Sequence, residues 1–114
     1  MKSRIRVRAA ERLASYVNSD ASAVIHRVET VMQKHNIKRQ ARPFPNPREY
    51  RKNAPETLMS QVQKELETLG FKFKRLPVHS MNTNAVESEG SYQSVDYILD
   101  LVFRYDQLEV DLYY

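Results

Sequence analysis

Cysteine is absent from the 114 residues, and only two glycines are present. Without cysteine the chain can form no disulfide, no thiolate metal site and no thiol nucleophile. The glycine-rich loops that bind nucleotide phosphates need two or more glycines close together, whereas Gly70 and Gly90 are widely separated. The sequence therefore excludes cysteine-based chemistry and the common glycine-built phosphate sites.

Long hydrophobic runs are also missing. No apolar stretch approaches the ~18 residues that a membrane-spanning helix needs, and the basic start Met1–Arg8 leads into no apolar region like that of a signal peptide. Hydrophobic residues make up 41% and charged residues 28% of the chain, a globular balance. We expect one domain over residues 1–114, a cytoplasmic location and no cofactor.

Positive charge is concentrated in the first half of the chain. Residues 1–53 hold 13 Lys and Arg against 4 Asp and Glu, a net charge of +9, whereas residues 54–114 hold 5 against 10, a net charge of −5. Such asymmetry is typical of a basic surface that binds an anionic partner. The alternative is that the two halves attract each other within the fold.

Helical spacing of apolar residues predicts three helices, over about residues 7–17, 20–35 and 55–69. Asn53 is the expected N-cap of the third helix, and Gly70 is expected to end it. The start of the chain is ambiguous, because Arg4–Arg8 also alternates as a short strand would.

Alternating patterns predict strands in the second half. We expect a strand over residues 71–78 and a hairpin in which 99, 101 and 103 pair with 112, 110 and 108, because this register gives one apolar face. A helix over 95–103 is the alternative. The predicted fold is α+β, with three helices on one face of a small antiparallel sheet of about three strands, formed by the C-terminal half. Residues 1–6, 38–52 and 80–91 are expected to be mobile.

The proline-containing stretch 38–52 is the leading candidate site. It interleaves basic residues with two aromatic residues, and arginine binds phosphate oxygens while an aromatic ring stacks on a base. Together with the arginines at the start of the chain, it predicts a nucleic-acid or polyanion surface formed by Arg4, Arg6, Arg8, Lys38, Arg39, Arg42, Phe44, Arg48, Tyr50, Arg51 and Lys52. The alternative is that the two rings anchor the loop to the core and the arginines are solvated.

Tyrosines near the C-terminus suggest a second kind of site. Tyr105 lies at the predicted turn, and Leu112 and Tyr113 lie in the last strand, which is expected to be a free edge. Tyrosine is enriched at protein interfaces, and a free edge can pair with another strand. These residues predict contact with a protein partner or with a second copy.

Acidic residues give a third, weaker signal. The predicted hairpin places Asp100 opposite Asp111, with Glu109 nearby, and like charges in that position need relief by lysines of strand 71–78 or by a cation. Asp96 is a further acid that could bind such a cation. The leading interpretation is a small non-enzymatic protein that binds nucleic acid or another polyanion. The alternative is a protein-interaction module, such as an inhibitor or assembly subunit, and a metal-dependent nuclease comes third.

Overall fold

The computed structural model describes residues 21–42, 46–78 and 82–114. These residues form two helices and six strands: α1 (Ser22–Lys34), β1 (Lys38–Arg39), β2 (Arg48–Asn53), α2 (Thr57–Thr68), β3 (Lys74–Arg75), β4 (Asn84–Tyr92), β5 (Val95–Arg104) and β6 (Gln107–Tyr113). The predicted α+β class is confirmed, but the sheet has six strands rather than about three. The helix expected over residues 7–17 lies outside the described residues. Neither of the two described helices is long and apolar enough to cross a membrane.

All six strands form one antiparallel sheet in the order β1-β2-β6-β5-β4-β3. The two-residue strands β1 and β3 form its edges. The last strand, β6, pairs with β2 on one side and with β5 on the other, so the expectation that it is a free edge is wrong. The sequence of β2 did not indicate this pairing, because Tyr50 is its only apolar residue and the strand shows no alternation of apolar and polar residues.

The hairpin formed by β5 and β6 has the predicted register. Each apolar residue of one strand faces an apolar residue of the other: Leu99 pairs with Leu112, Leu101 with Val110 and Phe103 with Leu108. The alternative helix over residues 95–103 does not form. The connection is one residue shorter at each end than expected, because Arg104 still pairs with Gln107.

Two stretches expected to be mobile loops contain strands. The stretch 38–52 holds β1 and most of β2, and the stretch 80–91 holds most of β4, which pairs with β5 along its whole length. Conversely, the strand expected over 71–78 is reduced to Lys74–Arg75. Polar strands such as β2 and β4 are fixed by backbone pairing with the apolar strands β6 and β5, and local propensity does not report that pairing.

Both helices end in the same backbone motif. After α2, Gly70 has φ +104, its N–H binds the carbonyl of Glu67, and the N–H of Phe71 binds the carbonyl of Leu66. After α1, Asn36 at φ 56 occupies the equivalent position. This is the Schellman arrangement, so Gly70 ends its helix as predicted. Asn53 is not the N-cap, because it is still paired in β2 and the helix begins four residues later.

The main core lies between the two helices and one face of the sheet, called here the helix face. Val24, Val28, Val62 and Leu66 of the helices are fully buried against it, and the sheet contributes Tyr50, Tyr97, Leu99, Leu101, Phe103, Leu108, Val110 and Leu112. At the end of α1, Lys34 and His35 both contact the carboxylate of Glu65 on α2. The opposite face of the sheet, called here the far face, carries two smaller buried clusters that contain no residue of α1 or α2.

Candidate functional site

Strand pairing divides the predicted basic residues between the two faces of the sheet. Successive side chains of a strand point to opposite faces. Tyr50 packs in the core on the helix face, so Arg48 shares that face and Arg51 lies on the far face. In β1, Arg39 pairs with Tyr50 and Lys38 pairs with Arg51, so they follow the same division. Among the described residues, this stretch therefore does not form the single basic surface expected of it.

On the helix face, Arg48 and Tyr50 bind the same carboxylate of α1. Glu29 Oε2 accepts hydrogen bonds from the Tyr50 hydroxyl at 2.6 Å and from Arg48 Nη2 at 2.9 Å. Burial alone would raise the pKa of Glu29, but these two hydrogen bonds outweigh it and hold that pKa below its usual value. Burial, together with the hydrogen bond to Glu29, raises the pKa of Tyr50 to about 12. These contacts tie β2 to α1, and Tyr50 is only 1% exposed.

On the far face, the predicted arginines are paired with carboxylates. Arg42 Nη1 lies 2.7 Å from Glu49 Oε1, and Arg51 Nη1 lies 2.5 Å from Glu109 Oε1. Arg104 approaches the other oxygen of Glu109 at 3.5 Å. Both glutamates are buried. Arg51 of the first half of the chain thus meets an acidic residue of the second half, as in the alternative in which the two halves attract each other, whereas Arg42 pairs within the first half.

The remaining basic residues are dispersed. Lys52 donates a hydrogen bond to the backbone carbonyl of His35 at 2.7 Å, while Lys38 and Arg39 are exposed on the edge strand β1. Four further members of the predicted surface lie outside the described residues: Arg4, Arg6, Arg8 and Phe44. The nucleic-acid contact expected of these residues stays a prediction.

The acidic residues of the predicted hairpin lie mostly on the far face. Asp100 pairs directly with Asp111, as predicted, and both are buried together with Glu109, whereas Asp96 is exposed. The lysines of strand 71–78 do not lie beside this pair, because β4 stands between β3 and β5. Within the part of the chain that the structure describes, no group of three or more His, Asp and Glu residues is placed to hold a metal ion.

The three residues predicted to contact a protein partner have different environments. Leu112 is fully buried in the core on the helix face, and Tyr113 is 4% exposed on the far face beside Ile98. A partner therefore does not reach either side chain in this conformation, because β6 is an interior strand. Tyr105 is 87% exposed, the one large hydrophobic side chain among the described residues that is exposed.

Tyr105 stands at the mouth of an open recess of about 550 Å³. Three elements meet there: the start of α2, the edge strand β3 with the residues leading into β4, and the turn between β5 and β6. Its lining combines aromatic, amide and charged groups, namely Glu56, Arg75, Asn82, Thr83, Asn84, Phe103, Tyr105 and Asp106. A smaller recess of about 280 Å³ continues from it between α2 and β3.

The turn that carries Tyr105 is backbone-strained. Tyr105 and Asp106 both have positive φ, 53 and 55, in a two-residue connection, which is the geometry of a type I′ turn and favours Asn-Gly. Bulky side chains are rare at positive φ. The other hairpin turn, Gln93-Ser94, also lacks glycine. What distinguishes Tyr105 is therefore the combination of strain, exposure and a recess beside it.

Hydrogen bonds fix the rest of the recess. Asn84 Nδ2 donates to Glu56 Oε1 at 2.6 Å, and Arg75 Nη2 donates to Asn84 Oδ1 at 3.3 Å. The backbone N–H of Ala54 donates to the carbonyl of Asp106 at 3.0 Å and holds the turn against the start of α2. One amide side chain therefore orients both a carboxylate and a guanidinium at the recess.

The recess offers a flat aromatic surface beside donors and acceptors of both signs. Such a set suits a polar segment that brings both hydrogen-bonding groups and an apolar group. The sequence pointed to Tyr105 but not to Glu56, Arg75 or Asn84. Single polar residues in helix-start and edge positions carry no periodic signal, and only the sheet order brings them together.

The geometry is the sole guide to this site, because no protein-family model, no curated protein and no solved structure matches the chain.

Proposed function

We propose that this protein is a non-enzymatic interaction module whose recess binds a segment of a partner protein, with Tyr105 and Arg75 as its main contacts. The observation that supports this most is the 87% exposure of Tyr105 at the mouth of the recess. A tyrosine in that position loses solvent-exposed apolar surface only when something covers it. The strain of its turn adds to the argument, since strained residues concentrate at functional sites.

Residue types support a protein partner. Tyrosine and arginine dominate the binding energy of protein interfaces, because each buries a large area and keeps a polar group that directs the contact. Arg75 and Tyr105 line the same recess, and its volume is within the range of about 300–1,000 Å³ of typical binding pockets. The recess therefore suits a few side chains of a partner.

Charge at the recess argues against a polyanion as its ligand. Glu56 and Asp106 lie beside Arg75, so the lining carries both signs. A polyanion would also need the arginines of β2, but Arg48 and Arg51 are engaged with Glu29 and Glu109. We therefore place the protein-interaction function first and keep the nucleic-acid function as the alternative to be tested.

The test is a comparison of captured partners. The intact protein is immobilised and used to capture proteins from cells that express it, alongside three variants: Tyr105→Ala, Arg75→Ala and the control Lys64→Ala. Lys64 is exposed on α2 and is not among the residues lining the recess. A partner of the recess is captured by the parent protein and the control but is lost with both recess variants.

The affinity of the purified partner for the parent protein and for each variant then measures how much each recess residue contributes to binding. Loss of a dominant interface contact costs at least about 2 kcal/mol, so each recess variant should weaken binding by more than about tenfold. Equal affinity for the parent protein and the Tyr105→Ala variant would contradict the proposal. Binding of generic duplex DNA that falls steeply with salt, and that Arg42→Ala weakens, would instead support the alternative.

A further inference from the structure

Four carboxylates stand side by side across the far face of the sheet. Glu49 of β2 pairs with Asp111 of β6, Asp111 with Asp100 of β5, and Asp100 with Glu87 of β4. All four are buried, with exposures of 7%, 3%, 1% and 0% respectively. We call this set the carboxylate row. Directly paired residues have their Cβ atoms only about 5 Å apart, so the row concentrates four acidic groups in a small area.

Such a row needs positive charge against it. Like charges in direct register destabilise a sheet, and a buried carboxylate is tolerated when cations and hydrogen bonds compensate it. At the β2 end, Arg42 and Arg51 approach Glu49, and at the β3 end Lys74 pairs in register with Glu87. The row therefore favours a basic, guanidinium-bearing segment packed against it.

The same face also carries apolar side chains. Ile98 and Tyr113 form one buried cluster, and Leu76, Ala85 and Val102 form another, on the two sides of the row. Neither cluster includes a residue of α1 or α2. A segment that fits this face must therefore combine arginines with aliphatic side chains, so a purely polar polyelectrolyte matches it poorly.

We propose that the far face is the docking surface for the N-terminal segment of the same chain, residues 2–13. This segment has the required composition, with Lys2, Arg4, Arg6, Arg8 and Arg12 interleaved with Ile5, Val7 and Leu13. It holds five basic residues and one acidic residue, Glu11, a net charge of +4. The charge of the segment is thus complementary to that of the carboxylate row.

Covalent attachment favours this occupant over one from solution. Residues 14–20 link the segment to the first described residue, Ala21, and at about 3.3–3.6 Å per residue they span up to about 25 Å, close to the shortest extent of the molecule, 28 Å. A tethered segment meets its surface at a millimolar effective concentration. Docking in this way engages Arg4, Arg6 and Arg8 within the molecule and withdraws them from any polyanion surface. This proposal is independent of the recess at Tyr105.

The absence of cysteine from the chain allows a direct test. A single Ala10→Cys substitution in the full chain is labelled with a nitroxide, and backbone amide signals are recorded by NMR. We expect the label to broaden the amides of Asp100, Asp111 and Glu87 strongly and to leave the exposed residues Lys64 and Glu67 of α2 sharp. Broadening centred on α2, or no local broadening, would overturn the proposal.

A triple variant of the segment tests whether its charge is needed for docking. In the labelled chain, Arg4→Gln/Arg6→Gln/Arg8→Gln should abolish the broadening of the carboxylate row, and high salt should weaken it. The control Lys34→Gln/Arg39→Gln/Lys64→Gln removes three cations that lie away from the far face and should leave the broadening intact. If the arginine variant retains the broadening, the charge argument is wrong. If that variant does not fold, the salt series on the parent labelled chain decides the question.

Discussion

The hydroxyl of Tyr50 donates one of the two hydrogen bonds that join β2 to Glu29 of α1, and its removal tests that bond. Tyr50→Phe deletes the donor to Glu29 and leaves the ring in the core. Because Arg48 still binds Glu29, we expect a loss of about 1–2 kcal/mol in the free energy of unfolding. Urea denaturation at neutral pH measures it, and Tyr105→Phe, at an exposed hydroxyl, is the control that should change nothing.

The same hydroxyl makes the stability of the folded protein depend on pH in the alkaline range. An unfolded tyrosine titrates near pH 10, whereas burial and the hydrogen bond to Glu29 raise the pKa of Tyr50 to about 12. The folded state holds this proton more tightly, so its stabilising contribution is complete below about pH 10 and is lost as the pH rises towards 12. The difference in stability between the parent and Tyr50→Phe should therefore shrink over this interval, and a constant difference would contradict the assignment.

Tyr105 is expected to lower the stability of the protein and to contribute to partner binding. Replacing the strained pair by the residues that a type I′ turn prefers, Tyr105→Asn/Asp106→Gly, should stabilise the protein by about 0.5–1 kcal/mol. The same change removes the aromatic contact of the recess and should abolish partner binding. Thermal unfolding and a binding assay on one sample measure both effects. Lower stability, or unchanged binding, would show that the pair is retained for its fold rather than for the recess.

Gly70, the residue with positive φ that ends α2, is predictable from the sequence, and its contribution to stability can be tested by substitution. A Cβ at Gly70 meets no atom within 4 Å, so Gly70→Ala costs only backbone strain at φ +104. We expect a loss of about 1–2 kcal/mol in stability. Asn36→Gly, at the equivalent position of α1, relieves the same kind of strain and should be neutral or stabilising. Chemical denaturation of both variants checks the pair, and equal costs would contradict this account.

The elements differ in how much their sequences disclose. The apolar stripes of α1 and α2 and the alternation of β5 and β6 were visible because each buries a regular face, and even the pairing of Asp100 with Asp111 followed from that register. β2 and β4 were missed. Their residues are mostly polar, and their places are fixed by backbone bonds to β6 and β5, which no local pattern records. The recess depended on that sheet order, so only its exposed Tyr105 was anticipated.

For the molecule as a whole, both edges of the sheet share one composition. β1 is Lys38-Arg39, β3 is Lys74-Arg75, and each is only two residues long and exposed. Short edge strands bearing lysine are a known protection against edge-to-edge association, because an incoming strand would bury their charges. Lys38 and Arg39, which in the sequence suggest a polyanion site, can therefore also serve to protect an edge of the sheet.

If the basic edge strands prevent association, removing their charges should make copies of the protein associate. Lys38→Val/Arg39→Val keeps the strand and removes its charges, so we expect concentration-dependent association, measured by light scattering coupled to size exclusion. The control Lys64→Val/Lys72→Val exposes the same two valines at positions outside the edge strands and should leave the oligomeric state of the parent unchanged. If both variants associate equally, general hydrophobicity is responsible. If only the edge variant associates, the basic pair of β1 acts by keeping one copy of the sheet from adding to another, and its charge needs no nucleic-acid partner to account for it.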